Sequence, residues 1–193
     1  MNTKKLVLCG VCAAIICALA PLSIPLSGLV PITFATFAVM LSGALLGGRY
    51  GALSVLIYLL IGALGVPVFS GYSSGIGVLL GPTGGYLIGY IPLAFLTGAL
   101  YDRYGKSKIG IKKYVVMITA MLSGTVVLYA FGTAWYCIVT GTGALVALTM
   151  CVVPFLLGDA AKIAAVTLLC PQLEKAIGKI PDKAGREKNK EEE

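Results

Sequence analysis

Long apolar stretches joined by short connections dominate this chain, and they decide its solvent before any motif is considered. Crossing the hydrocarbon core of a bilayer takes about 20 mostly apolar residues. Stretches that approach or reach that length lie at about 6–21, 31–47, 51–68, 78–100 and 114–136. A further apolar run, 143–170, is too long for one span and too short for two. Pro154 divides it, since proline fits the first turn of a helix and disrupts a helix interior. The sixth span is therefore expected to start at Pro154, with 141–153 as an interfacial segment. Composition agrees: 58% of the residues are hydrophobic and 12% charged, against about 25% charged in a soluble domain.

The connections test this reading independently. With the amino terminus placed inside, the inner connections hold Lys4 and Lys5, Arg49, then Arg103, Lys106, Lys108, Lys112 and Lys113, and finally the basic residues from Lys175 onward. The outer connections (22–30, 69–77 and 137–153) hold no Lys or Arg, and of the fifteen basic residues only Lys162 lies within a span. Such asymmetry sets orientation in membranes. It predicts an all-α integral membrane protein, a bundle of six transmembrane helices with both termini cytoplasmic. Residues 1–175 form the membrane domain and 176–193 a charged cytoplasmic tail. A net charge of +7 distributed this way fits a lipid surface, and no nucleic-acid partner is expected.

Lys4, Lys5, the apolar stretch from Leu6 and Ala18-Leu19-Ala20 have the outline of a cleavable signal peptide, but another apolar span follows, so a retained first helix is expected. The six cysteines (Cys9, Cys12, Cys17, Cys137, Cys151, Cys170) lie in or beside apolar stretches. With no histidine and no second Cys-x-x-Cys, they are expected to be buried, inert thiols rather than a metal or redox site. Neither a phosphate-binding Gly-x-x-x-x-Gly-Lys-Ser/Thr loop nor a Gly-x-Ser-x-Gly elbow occurs, so no enzymatic activity, cofactor or metal is expected.

Asp159 and Lys162 are the only acid and the only base inside the spans. Each costs several kcal/mol there unless it faces a cavity or a partner, which makes an intramembrane pair a functional site by default and a structural ion pair the plain alternative. Three residues apart on a helix they share a face. A helix starting at Pro154 sets them about 8 Å and about 12 Å below the outer end. Gly158 lets a ligand or a backbone come close.

A second constellation lies between spans three and four. The uncharged loop Phe69-Ser70-Gly71-Tyr72-Ser73-Ser74-Gly75-Ile76-Gly77 is rich in Gly and Ser and can fold over a bound molecule, which makes Gly71, Ser73 and Ser74 candidate ligand contacts. Gly81-Pro82-Thr83 marks a break in helix four whose freed backbone groups need partners, and Thr83 joins the candidates. Gly85-x-x-x-Gly89 reads as a packing seam. In the first span Gly10, Ala14 and Ala18 form a small-residue stripe that admits another helix, either of this chain or of a partner protein.

Four blocks, taken in order, resemble a known family. They are Leu46-Gly47-Gly48-Arg49-Tyr50-Gly51-Ala52; Leu64-Gly65-Val66-Pro67-Val68-Phe69-Ser70-Gly71; Gly81-Pro82-Thr83-Gly84-Gly85-Tyr86-Leu87-Ile88-Gly89; and Pro154-Phe155-Leu156-Leu157-Gly158-Asp159-Ala160-Ala161-Lys162. Together they look like BioY, the biotin-binding S component of energy-coupling factor transporters, over residues 5–175. The resemblance implies a multi-pass protein of a prokaryotic plasma membrane. It would capture biotin from outside and pass it through an ATP-driven module of a transmembrane coupling protein and two cytoplasmic ATPases. Asp159 and Lys162 match the family's ligand-binding pair, and Gly10, Ala14 and Ala18 its coupling face. A carboxylate at 159 can accept from a ureido N–H, while Lys162 can donate to the ureido oxygen or pair with the ligand's carboxylate. Tyr86 is a candidate for the apolar wall. Two departures stand out: Thr33-Phe34-Ala35-Thr36 lacks the glutamine of the family's Thr-Leu-Gln-Thr, and Tyr72-Ser73-Ser74 replaces paired glycines around an arginine. An S component for another vitamin and a stand-alone proton-coupled carrier using Asp159 are the alternatives.

Overall fold

The computed structural model describes residues 3–24, 30–106 and 108–178. It is all-helical apart from one short hairpin: α1 (Thr3–Leu19), β1 (Ser23–Ile24), β2 (Ile32–Thr33), α2 (Ala35–Leu46), α3 (Gly48–Ala63), a single 3₁₀ turn (Ser70–Tyr72), α4 (Ile76–Leu80), α5 (Gly84–Tyr104), α6 (Ile111–Thr140), α7 (Ala144–Cys151) and α8 (Val153–Gly178). The strands run antiparallel, Ser23 opposite Thr33 and Ile24 opposite Ile32.

Among the described residues α5, α6 and α8 are long and apolar enough to cross a membrane, and α2 and α3 are shorter apolar helices. The shortening has local causes. Ile32 and Thr33 are drawn into the hairpin, so the second apolar stretch becomes helical only at Ala35. The third ends at Ala63, ahead of Gly65 at φ +102° and Pro67. The expected break in the fourth is present between α4 and α5. There the freed Gly81 carbonyl accepts from the Trp135 indole N–H at 3.0 Å, so α6 repairs what the proline leaves open. The segment expected at the interface, 141–153, contains a helix of its own, α7, entered through Gly141 at φ +70°. The sixth helix begins one residue before Pro154, which keeps proline in the first turn. Helix α8 runs on to Gly178, past the expected boundary at 175, and the rest of the charged tail lies outside the described residues.

Helix α5 is the hub, packed against α2, α3 and α6. Glycine makes that approach possible. A Cβ on Gly98 of α5 would lie 2.4 Å from backbone atoms of Gly47 and Gly48, so the helices meet backbone to backbone. On the other side Gly85 and Gly89 pack under Trp135 and Leu128 of α6, the seam expected from their spacing. Tyr58, Phe69, Met40, Leu93, Tyr101, Met117 and Met121 fill the interior with no exposed surface. Cys9, Cys12, Cys151 and Cys170 are buried free thiols.

Candidate functional site

Asp159 and Lys162 project from one face of α8 into the bundle, 5% and 9% exposed, with the ammonium 2.9 Å from Asp159 Oδ1. Burial at that level is costly unless the charges are paired and hydrogen-bonded, and two other helices add partners. Thr36, in the first turn of α2, accepts from Lys162 at 2.8 Å and donates to Asp159 Oδ1 at 3.2 Å. Tyr129 of α6 donates its hydroxyl to Asp159 Oδ2. Two of the three ammonium protons of Lys162 are thereby used and one remains for a ligand. The carboxylate keeps lone-pair directions beyond those occupied.

The four polar residues form the floor of a cleft with about 350 Å³ of empty space, walled by Val30, Pro31, Tyr86, Tyr90, Leu128 and Phe155. A second cleft of about 650 Å³ shares Val30, Pro31, Thr33, Tyr86 and Tyr90 with the first and continues to Phe69, Ser70, Ser73, Val78 and Thr83. The shared tyrosines are held in place. Tyr86 packs against Gly132, its hydroxyl 3.0 Å from Thr133 Oγ1 and donating to the Cys151 carbonyl at 3.5 Å. Aromatic and aliphatic walls over a small polar floor are the usual make-up of a small-molecule pocket.

Of the residues singled out from sequence, Asp159, Lys162, Tyr86, Thr83 and Ser73 line these two clefts. Gly71 and Ser74 do not. Gly71 turns the loop at φ +64° and its N–H donates to the Pro21 carbonyl, tying the loop to the end of α1. That loop is held at further points: Phe69 N–H donates to the Ser73 carbonyl, Gly75 N–H to the Gly62 carbonyl, and the Phe69 ring fills the notch left by Gly62, edge-on to Tyr58 at 5.5 Å. Thr36, Tyr129, Tyr90 and Phe155 are functional candidates that sequence reasoning missed. Thr36 alone carried a signal, as the retained threonine of the Thr33-Phe34-Ala35-Thr36 stretch. Gly10, Ala14 and Ala18 lie on the side of α1 turned away from the bundle. All three are exposed, and a Cβ on Gly10 would touch nothing, so the stripe is not internal packing; Cys9, Ala13 and Ile16 face inward instead.

An apolar helical bundle packed around a buried charged floor defines a membrane protein organised about an internal polar cleft. Comparison with known proteins names the family: the BioY family model matches residues 1–179, and the chain belongs to that family. It is 43% identical over 149 residues to the biotin transporter BioY of Rhizobium etli, covering 74% of this chain and 79% of that protein. With the biotin transporter BioY of Rhodobacter capsulatus the identity is 37% over 175 residues, 86% of this chain and 90% of that one. The structure of the S-component for biotin from an ECF-type ABC transporter superposes with a TM-score of 0.79 at 29% identity, over 90% of this chain and 92% of that chain.

Proposed function

We propose that this chain is the substrate-binding membrane subunit of a vitamin uptake transporter, holding biotin in the cleft above Asp159 and Lys162. The observation that carries the reading is the buried Asp159–Lys162–Thr36–Tyr129 floor in a chain of the BioY family. Biotin's ureido ring offers two N–H donors and one carbonyl oxygen. The free lone pairs of Asp159 and the unused Lys162 proton are the complementary set, with Lys162 pairing with the ligand carboxylate as the other orientation. The apolar bicycle and tail then lie against Tyr86, Tyr90 and Phe155, while Ser73 and Thr83 line the approach. In this reading residues 1–175 cross a prokaryotic plasma membrane six times, with both termini and the tail 176–193 in the cytoplasm and the cleft accessible from outside. The positive-inside asymmetry supports that orientation.

Delivery requires an energy source, and the chain has no nucleotide-binding loop. It docks through Gly10, Ala14 and Ala18 onto a transmembrane coupling protein that carries two cytoplasmic ATPases. The outward, side-chain-poor face of α1 supports this. Mass spectrometry of small molecules released from the purified protein tests the ligand: biotin is expected, and another vitamin in its place would reassign the cleft. Ala14→Phe should abolish co-purification of the coupling protein and leave biotin retention intact. Loss of both would return the stripe to a role in folding.

A further inference from the structure

The end of the bundle opposite the cleft carries a second, open concavity with about 750 Å³ of empty space. Lys5 of α1, the α2–α3 junction from Leu46 to Tyr50, and Phe95, Ala99 and Asp102 of α5 line it. Its charges are unbalanced. Among the described residues two carboxylates lie at this end, and both are committed: Asp102 to Lys106 at 2.6 Å and Glu174 to Lys113 at 2.7 Å. An Asp102 oxygen also fills the space that a Cβ on Gly47 would occupy, so the start of α3 already faces a carboxylate of the protein. Lys5 and Arg49 have no carboxylate partner among the described residues. The Lys5 ammonium stands 5.7 Å from the centre of the Tyr50 ring, which holds it at the rim, and Arg49 is exposed. Beside these cations the wall turns apolar at Leu46 and at Phe95, which is 45% exposed.

We propose that this concavity binds the headgroup of an anionic phospholipid. Arg49 and Lys5 would hold the phosphodiester, and an acyl chain would lie against Phe95. Three observations select that occupant over others. Two cations without a carboxylate partner among the described residues call for an anion, and guanidinium suits a phosphate in particular. They sit where the chain's basic residues gather, at headgroup level by the positive-inside rule. The apolar flank gives a lipid tail a surface that a soluble anion could not use. The assignment rests on the protein lying in a membrane and is independent of what the opposite cleft holds.

The test uses full-length protein in mild detergent. The affinity for phosphatidylglycerol and for phosphatidylcholine of the same chains is read by native mass spectrometry and by the shift in unfolding midpoint. Phosphatidylglycerol should be retained in preference and raise the midpoint more. Arg49→Gln and Lys5→Gln should each weaken its binding about fivefold, and the double variant about thirtyfold. Arg49→Lys should keep most of the preference, and biotin affinity should be unchanged throughout. Should Arg49→Gln fail to fold, Lys5→Gln and the loss of preference in high salt read the same contribution. Soluble glycerol 3-phosphate should give no shift; a shift equal to that of the lipid would assign the site to free phosphate and overturn the proposal. Undiminished phosphatidylglycerol preference in the double variant would overturn it as well. So would a double variant that keeps the lipid but no longer co-purifies the coupling protein, since the cleft would then be a protein interface.

Discussion

The two ends of this bundle use the same chemistry at different depths. At the end that carries the cleft, the side chains of Lys162 and Asp159 are 10% and 6% exposed, and the pair is enclosed by Thr36 and Tyr129. At the basic end, Lys113 and Glu174 are 24% and 20% exposed, and Lys106 and Asp102 are 42% and 41% exposed. A well-solvated pair contributes between zero and about 1 kcal/mol, because water and salt answer for either charge when the other is removed. A buried pair is different. Its net contribution is small, but removing one partner strands the other in a medium that cannot solvate it, at about 3–5 kcal/mol. Depth therefore separates an enclosed floor, where each charge depends on its partners, from pairs that water reaches in part or freely.

The largest expected effect tests that contrast directly. Asp159→Asn and Lys162→Met should each weaken biotin binding about 10- to 150-fold, the loss of one charge-assisted hydrogen bond worth about 1.5–3 kcal/mol. Each should also lower the unfolding midpoint of the unliganded protein, because one buried charge is left alone. The double variant should fold about as well as the parent and still fail to bind. Titration and thermal unfolding on all three variants separate the two losses, and normal affinity in the folded double variant would leave the pair a purely structural role.

Tyr129→Phe comes next. It removes the donor to Asp159 Oδ2 while Thr36 and Lys162 still engage Oδ1, so biotin affinity should drop about tenfold, for about 1–2 kcal/mol. An unchanged dissociation constant would place the hydroxyl outside ligand recognition. Lys113→Met, at the other end, should leave biotin affinity untouched and cost about 1–2 kcal/mol of stability. It exposes an imbalance at Glu174, whose second oxygen already lacks a partner among the described residues and whose first keeps only Tyr101. A loss as large as that of Lys162→Met would contradict the depth argument. The smallest effect is expected for Lys106→Ala, under about 0.5 kcal/mol, since its pair with Asp102 is an exposed i,i+4 contact. A calorimetric shift well beyond that would mean that this pair also orders the Gly47 junction under Asp102.

The sequence alone determined the membrane as solvent, the clustering of basic residues in alternate connections, and the candidate pair. All three follow from local facts: runs of apolar residues, charge in short connections, and an i,i+3 spacing that brings Asp159 and Lys162 onto one face whatever surrounds them. The helix break at Gly81-Pro82 and the start of the last helix beside Pro154 were legible for the same reason, since proline acts on its own turn. Which residues complete the floor follows from helix packing. Thr36 and Tyr129 lie 123 and 30 positions from Asp159 along the chain, and no periodicity pointed to them. A helix in a bilayer is apolar on its lipid face and its packed face alike, so the pattern that marks the inward side of a soluble helix is missing. The same uniformity hid the outward turn of the Gly10–Ala14–Ala18 stripe and the inward placement of Tyr90 and Phe155. Which apolar face is buried is settled by close packing between helices, where glycines such as Gly98 fix how near two backbones come.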